Sequence, residues 1–272
     1  MATEAERLVL LDKARMGDEA ALEALLQEVQ PQLYRFSMKM CRHTEDAEDV
    51  LQDSMMTLAR SFRDFRGASS LSTWLFTIAR SFCIKKRLKS KFAPKQEESL
   101  DALSHREKNH LEAPGPNPET QTESREIWEQ VQAGIARMEP AYREILVLRD
   151  IEGLSAKEVA EVVDISVPAV KSRLHRARAQ LREALAASPY KPRIGCPDIR
   201  RVFSEHLEGD ISADICSNME AHVAECTICA EECNSLKLAL HACSSAPADV
   251  PEEVKRRVRE ALRQTIKPSV SP

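Results

Sequence analysis

Residues 145–185 read ILVLRDIEGLSAKEVAEVVDISVPAVKSRLHRARAQLREAL, and few other stretches of this chain leave the backbone so little choice. Gly153 stops an apolar helical run that contains Ile145, Leu146 and Leu148. Ser155 and Glu158 stand three apart, the spacing at which each caps the other's backbone N–H at a helix start. The spacing predicts a helix over about 155–162 that turns Val159, Ala160 and Val163 inward, with small Ala160 where two helices cross. Asp164 and Ile165 make a turn, Ser166 caps the next helix, and Pro168 falls in its first turn, where proline is tolerated. That second helix carries Lys171, Arg173, Arg176, Arg178 and Arg182 against one acid, Glu183. A basic helix behind a tight turn suits insertion into a DNA major groove, and Lys171, Arg173 and Arg176 are placed to reach phosphates or guanine edges. The alternative is a basic face turned to water.

The rest of the chain agrees with an all-α fold. Only seven of 272 residues are glycine and 30% are charged, a composition that favours helices over sheets. The formal net charge is −4, so nucleic-acid binding has to come from local patches. No apolar run approaches the ~18 residues of a spanning helix, and the acidic, amphipathic N-terminus is unlike a secretory signal. These features predict a soluble, cytoplasmic protein with no membrane partner.

Residues 1–92 form a first helical block. A helix over about 44–63 places Ala47, Val50, Leu51, Met55, Leu58 and Phe62 on one face, and its outer face opens with Glu45, Asp46, Glu48, Asp49 and Asp53. A second helix over about 71–90 ends in a cationic run, with six bases and no acid between Arg80 and Lys91. Between them lies the Gly/Ser loop FRGASSLSTW. Residues 93–125 are polar, acidic and without apolar periodicity, which predicts a flexible linker. Residues 126–187 hold the two-helix motif, 196–245 a cysteine-rich block, and 246–272 a tail with an amphipathic stretch.

The stretches DAEDVLQDSMMTLARSFRDFRGASSLSTWLFTIARSFCIKKRLK and MEPAYREILVLRDIEGLSAKEVAEVVDISVPAVKSRLHRARAQLREAL resemble the second and fourth conserved regions of extracytoplasmic-function (ECF) sigma factors. The resemblance covers about residues 15–187, with the acidic linker in the corresponding place. It implies a non-enzymatic role: binding of bacterial core RNA polymerase and recognition of the −10 and −35 elements of promoter DNA. It implies that Asp46, Asp49, Gln52 and Asp53 contact the polymerase. It implies that Arg80, Lys85, Lys86 and Arg87 meet the −10 duplex, with the Gly67–Ser72 loop, Ser69 and Ser70 included, as a pocket for a flipped base. The helix-turn-helix, from Ser166 through Lys171, Arg173 and Arg176, would read the −35 element. Trp74 is expected in the core, and Cys41 and Cys83 as inert buried thiols.

Six of the eight cysteines lie beyond residue 195. Cys196, His222, Cys226 and Cys229 form a Cys3His set that suits tetrahedral Zn²⁺, with His222 one helical turn before Cys226 and a Cys-x2-Cys pair after it. The set, with LEGDIS between its first and second members, resembles the zinc-binding anti-sigma domain, a small helical module that occludes a sigma factor. Cys216, Cys233, Cys243, His206 and His241 are further candidate ligands, and soft thiolates also suit Cd²⁺ or Cu⁺. The whole arrangement resembles metal-responsive ECF factors that need no separate anti-sigma factor, with the metal ion as effector. Three alternatives stay open for a chain of this pattern: a redox sensor acting through Cys226 and Cys229, a constitutive factor with a structural zinc, and a repressor built on the helix-turn-helix alone. A metal hydrolase is disfavoured, because nothing in the sequence forms a substrate pocket around Glu225 or Glu231.

Overall fold

The structure is a computed structural model that describes residues 3–41, 43–92, 118–185, 190–244 and 250–266. Among the described residues every regular element is helical, as the composition predicts. The chain divides into two compact units. One comprises Met1–Arg66, Ile78–Arg125 and Pro247–Pro272; the other comprises Gly67–Thr77 and Glu126–Ala246.

In the first unit, α1 (Glu4–Arg15) starts at a reciprocal cap between Thr3 and Glu6. Asp18 caps α2 (Glu19–Met40) by accepting from the Ala21 N–H. α3 (Thr44–Ser61) follows and tightens into a 3-10 turn at Phe62–Asp64. Leu11, Leu25, Leu33, Phe36, Val50, Leu51, Met55 and Leu58 are all buried. This is the face the spacing of α3 predicts, with its acids left outside. α4 (Leu71–Phe92) joins this unit from Ile78 onward. Its Cys83 is buried and hydrogen-bonded to Cys41; that bond, and burial after it, push the Cys83 thiol well up. A thiol held protonated is a poor nucleophile, in keeping with an inert role.

The second unit contains α5 (Pro118–Arg137) from Glu126 onward, α6 (Pro140–Leu146) with a π turn over Val147–Ile151, α7 (Ala156–Val163) and α8 (Val167–Leu185). The acidic linker expected over 93–125 needs a correction: residues 93–117 lie outside the described residues, but the chain is already helical from Pro118. Proline suits a first helical turn, because its missing N–H has no intrahelical partner there. Gly153 has φ +76°, a conformation that favours glycine, and sends the chain from α6 toward α7. Ser155 and Glu158 form the reciprocal cap. Asp164 closes α7 in the left-handed region at φ 57°, where Asp is among the residues tolerated.

The cysteine-rich block forms α9 (Ile199–Leu207), α10 (Ala213–Glu225) and α11 (Thr227–Ser244). It is not a body apart from the helix-turn-helix. α9 and α11 both pack on α8, within one compact unit. The tail forms α12 (Glu252–Ile266), which packs on α3 in the first unit.

α5 and α8 approach closely at Gly134. A β-carbon placed there would stand 2.8 Å from the Ala184 β-carbon. Gly134→Ala should therefore destabilise the protein by about 1–3 kcal/mol through overpacking, although alanine is the better helix former by about 1 kcal/mol. The midpoint of urea unfolding measures the balance, and a rise in midpoint would show that the two helices separate without cost.

Candidate functional site

The four residues read as a metal set come together. Cys196 precedes α9 in a turn closed by its N–H to the Arg193 carbonyl at 3.0 Å. His222 lies on the last turn of α10, Cys226 ends that helix, and Cys229 sits in the first turn of α11. Their ligand atoms all lie within 4.8 Å of one another. Cys196 Sγ and Cys226 Sγ are 3.9 Å apart, and His222 Nε2 is 3.3 Å from Cys229 Sγ. Two thiolates at the usual 2.3 Å from one tetrahedral ion stand about 3.8 Å apart. The quartet has the donor types and the spacing for such an ion.

The environment treats the thiols unequally. The Cys229 backbone N–H, hydrogen-bonded to Cys226, is the largest influence holding the Cys226 thiol below its ordinary range. Burial pushes the Cys229 thiol up to about 11. Beneath the cluster lies an apolar core of Ile199, Phe203, Cys233 and Leu236, with Met219 and Val223 against it. Cys233 belongs to that core, and burial raises its thiol. Cys243 is buried too. Among the described residues, neither Cys233, Cys243 nor His241 joins the four-atom cluster. Cys216 and His206 form a separate pair, Sγ to Nδ1 3.6 Å, on the opposed ends of α10 and α9.

Tyr190 and Glu232, which sequence reasoning missed, hold the site from outside. The Tyr190 hydroxyl lies 3.4 Å from Cys229 Sγ, and the Arg200 guanidinium stacks 5.0 Å from the Tyr190 ring centroid. Burial leads the causes that raise the Tyr190 hydroxyl. Glu232 is 0% exposed and meets both Arg182 and Arg200 at 2.5 Å. An aromatic in a Pro-rich connection and an acid beside three thiols were the only local hints.

The basic helix α8 divides into stripes. Val170, Leu174, Ala177 and Leu181 are buried in the helix-turn-helix core. Lys171, His175, Arg178 and Arg182 form the next stripe, which meets the cysteine-rich block. Arg178, 4% exposed, pairs with Asp150 at 2.6 Å and Glu208 at 2.9 Å and donates to Ser204 Oγ at 2.9 Å. Lys171 pairs with Asp210 of the LEGDIS stretch at 2.6 Å. Burial is the main cause that lowers the His175 pKa. Arg178 and Arg182 are thus committed to protein partners. Of the three bases expected on DNA, Arg176 is exposed and 3.5 Å from the Tyr142 hydroxyl, Arg173 is half-buried, and Lys171 is paired. Ser166 caps α8 by accepting from the Ala169 N–H at 3.3 Å.

In the first region, Asp49 is 55% exposed and pairs with Lys86 at 2.6 Å; Asp46 lies 3.5 Å from the same ammonium. Lys86, expected on DNA, is therefore engaged with acids expected on polymerase, and Asp49 leads the causes raising its pKa. Asp53, Lys85 and Arg87 are exposed, while Gln52 and Arg80 are half-buried. Ser70 accepts from the Thr73 N–H at 3.1 Å, as a helix cap, and donates to Glu158 at 2.7 Å; the Ser69 hydroxyl donates to the Ser70 carbonyl at 3.3 Å. Trp74 is half-buried rather than fully in the core.

Two family descriptions match this chain: "Sigma-70 region 2" over residues 25–92 and "Sigma-70, region 4" over residues 128–181. Both end before the thiol cluster. The chain is 30% identical over 177 residues to the ECF RNA polymerase sigma-E factor of Salmonella typhimurium, covering 62% of this chain and 89% of that one. It is 29% identical over 174 residues to the ECF RNA polymerase sigma factor SigE of Mycolicibacterium smegmatis; that match spans 62% of this chain and 65% of the relative, just under two thirds. The solved structure of CnrH in complex with the cytosolic domain of CnrY superposes with a TM-score of 0.47 at 24% identity, covering 68% of this chain and 99% of that one.

Two outcomes are expected of this site. Glu232→Gln leaves Arg182 and Arg200 without their shared buried carboxylate, which should cost about 3–5 kcal/mol in urea unfolding; a loss within error would mean the pair is not desolvated in solution. Metal binding has to displace the proton of Cys229, so Zn²⁺ affinity should fall as pH drops from about 8 to about 6, and Cys229→Ser should lose the ion. Competition titration against a chromophoric chelator reads both; a pH-independent affinity unchanged in Cys229→Ser would remove the quartet as a site.

Proposed function

The chain belongs to the ECF family of RNA polymerase sigma factors, and we propose that it is a sigma factor controlled by metal bound to its own cysteine-rich block. As a member of that family it binds RNA polymerase for transcription initiation. The proposal assigns the polymerase contacts to Asp46, Asp49, Gln52 and Asp53 and the −10 contacts to Arg80, Lys85 and Arg87. It assigns the −35 contacts to Arg173 and Arg176, beside Ser166. Cys196, His222, Cys226 and Cys229 would hold one Zn²⁺, or Cd²⁺ or Cu⁺ as the regulating ion. The metal's part is to fix α9, α10 and α11 against one another; the residues around it carry that order to α8.

One observation carries the reading: the block that gathers the thiols also grips the recognition helix, through Arg178, Arg182 and Lys171. A change in the order of α9–α11 therefore bears on the helix expected in the groove, and Lys171 is withheld from DNA while Asp210 holds it. A metal shifts such an equilibrium only by its preference for one arrangement. In this reading a separate anti-sigma factor is not required, so regulation should be seen with purified chain and core polymerase alone. A redox reading is favoured by one feature, the lowered Cys226 thiol, because thiolate character governs oxidation. Peroxide-dependent transcription that metal does not alter would select it.

Run-off transcription with core polymerase, titrating Zn²⁺, Cd²⁺ and Cu⁺ one at a time, tests the proposal; activity indifferent to metal in a metal-loaded protein would reject it. Reversing Asp49 and Asp53 should weaken core binding by about tenfold, more at low salt. Arg173→Ala with Arg176→Ala should lower the salt slope of promoter binding by about one for each phosphate contact removed. Equal transcription from promoters with and without the −35 element would refute that assignment.

A further inference from the structure

We propose that the last helix, α12, is a resident competitor for the face of α3 that core polymerase uses, so that α12 must leave before the polymerase docks. The inference rests on the sigma-factor reading and adds a regulatory partner for its first region: a segment of the same chain.

The tail was legible only as an amphipathic stretch. In the structure its apolar stripe is spent. Val250, Val254, Val258 and Leu262 recur every fourth residue and all are buried. The helix packs on α3, and the boundary includes a groove of about 550 Å³ lined by Leu26 and Gln30 of α2, Met55 of α3, and Val258 and Leu262. The polar flanks are matched as well. Arg257 pairs with Glu48 at 2.9 Å, with Glu48 only 17% exposed, and Lys255, Arg259 and Arg263 line the same groove as Glu19 and Glu23. The outer face satisfies itself: Lys255 with Glu252 at 2.7 Å, Arg256 with Glu253 at 2.6 Å.

Register along α3 makes this seat consequential. Glu48, Gln52 and Met55 succeed one another at i, i+4 and i+7, which places them on one side of the helix. α12 holds the first through Arg257 and shares a groove with the third. Gln52, assigned to the polymerase, lies between them and is half-buried. Asp49 and Asp53 occupy the adjoining stripe and stay exposed. A macromolecular partner that engages Gln52 together with Asp49 and Asp53 therefore collides with α12, while a partner of Asp49 and Asp53 alone does not.

In sequence only seven residues, 245–251, separate α11 from α12. The helix that covers α3 thus follows closely in sequence the helix that carries Cys229 and Cys233, in the block proposed to bind metal.

The test uses full-length chain and measures its Kd for core polymerase. Arg257→Glu and Val258→Asp each weaken the seat of α12 and touch none of the residues assigned to polymerase. Both should tighten core binding, within the ~5–150-fold span usual for coupled sites. Arg257→Glu combined with Glu48→Arg restores the ion pair in reverse and should return the affinity toward that of the unmodified chain. Circular dichroism checks that the helices persist. Kd values equal to the unmodified chain, or weaker binding in the variants, overturn the proposal; if reversal of Asp49 and Asp53 still weakens binding in that case, the sigma-factor reading survives it. A chain that binds core polymerase in no form overturns that reading and the proposal together.

Discussion

Arg178 is the hinge of the structure's logic. A guanidinium with 4% of its side chain exposed has to be paired, and three acceptors meet it: Asp150 from the π turn after α6, Ser204 from α9, and Glu208 at the C-terminal cap of α9. Leaving such a charge unpaired in a buried position is strongly unfavourable. The helix-turn-helix and the cysteine-rich block are therefore not independent, because the recognition helix draws its buried counter-charges from the block beside it. Glu232 repeats the arrangement with Arg182 and Arg200.

The thiol quartet lies on the far side of the same small core. Phe203, Cys233 and Leu236 join the ligand-bearing helix ends to the helices that touch α8. A block this small has little apolar area with which to hold three helices. An ion shared by residues before α9, at the end of α10 and at the start of α11, as proposed, would supply cross-links between them. The same economy explains why control would pass through metal: the element with least core of its own is the one whose order depends most on a ligand.

α12 extends the argument to the first unit. Its apolar face resembles the core-facing side of any surface helix, yet what it covers is the helix whose acids are proposed to meet the polymerase. Charge decides the fit. The α2–α3 face is acidic at Glu19, Glu23 and Glu48, and α12 presents Lys255, Arg257, Arg259 and Arg263. If the acids of α3 meet a basic partner, as proposed, a basic helix seated beside them would mimic that partner.

The local features of this chain were determined by its sequence. The caps at Ser155 and Glu158, the stop at Gly153, the turn at Asp164 and the apolar face of α3 all rest on interactions within a few residues, and each is where the sequence places it. The clustering of Cys196, His222, Cys226 and Cys229 was partly legible for the same reason, since three of the four lie within eight residues, His222 to Cys229. What only the tertiary structure decided is which face of a helix meets which partner. Arg178 and Arg182 read only as part of the basic content of that helix, because charge and helical spacing do not distinguish a phosphate from a carboxylate 28 or more residues away. Tyr190, Glu232 and Glu48 gained their roles in the same way, from neighbours that no local pattern specifies. Capping and periodicity act over one or two turns; the choice of burial partner is made when distant faces compete to leave water.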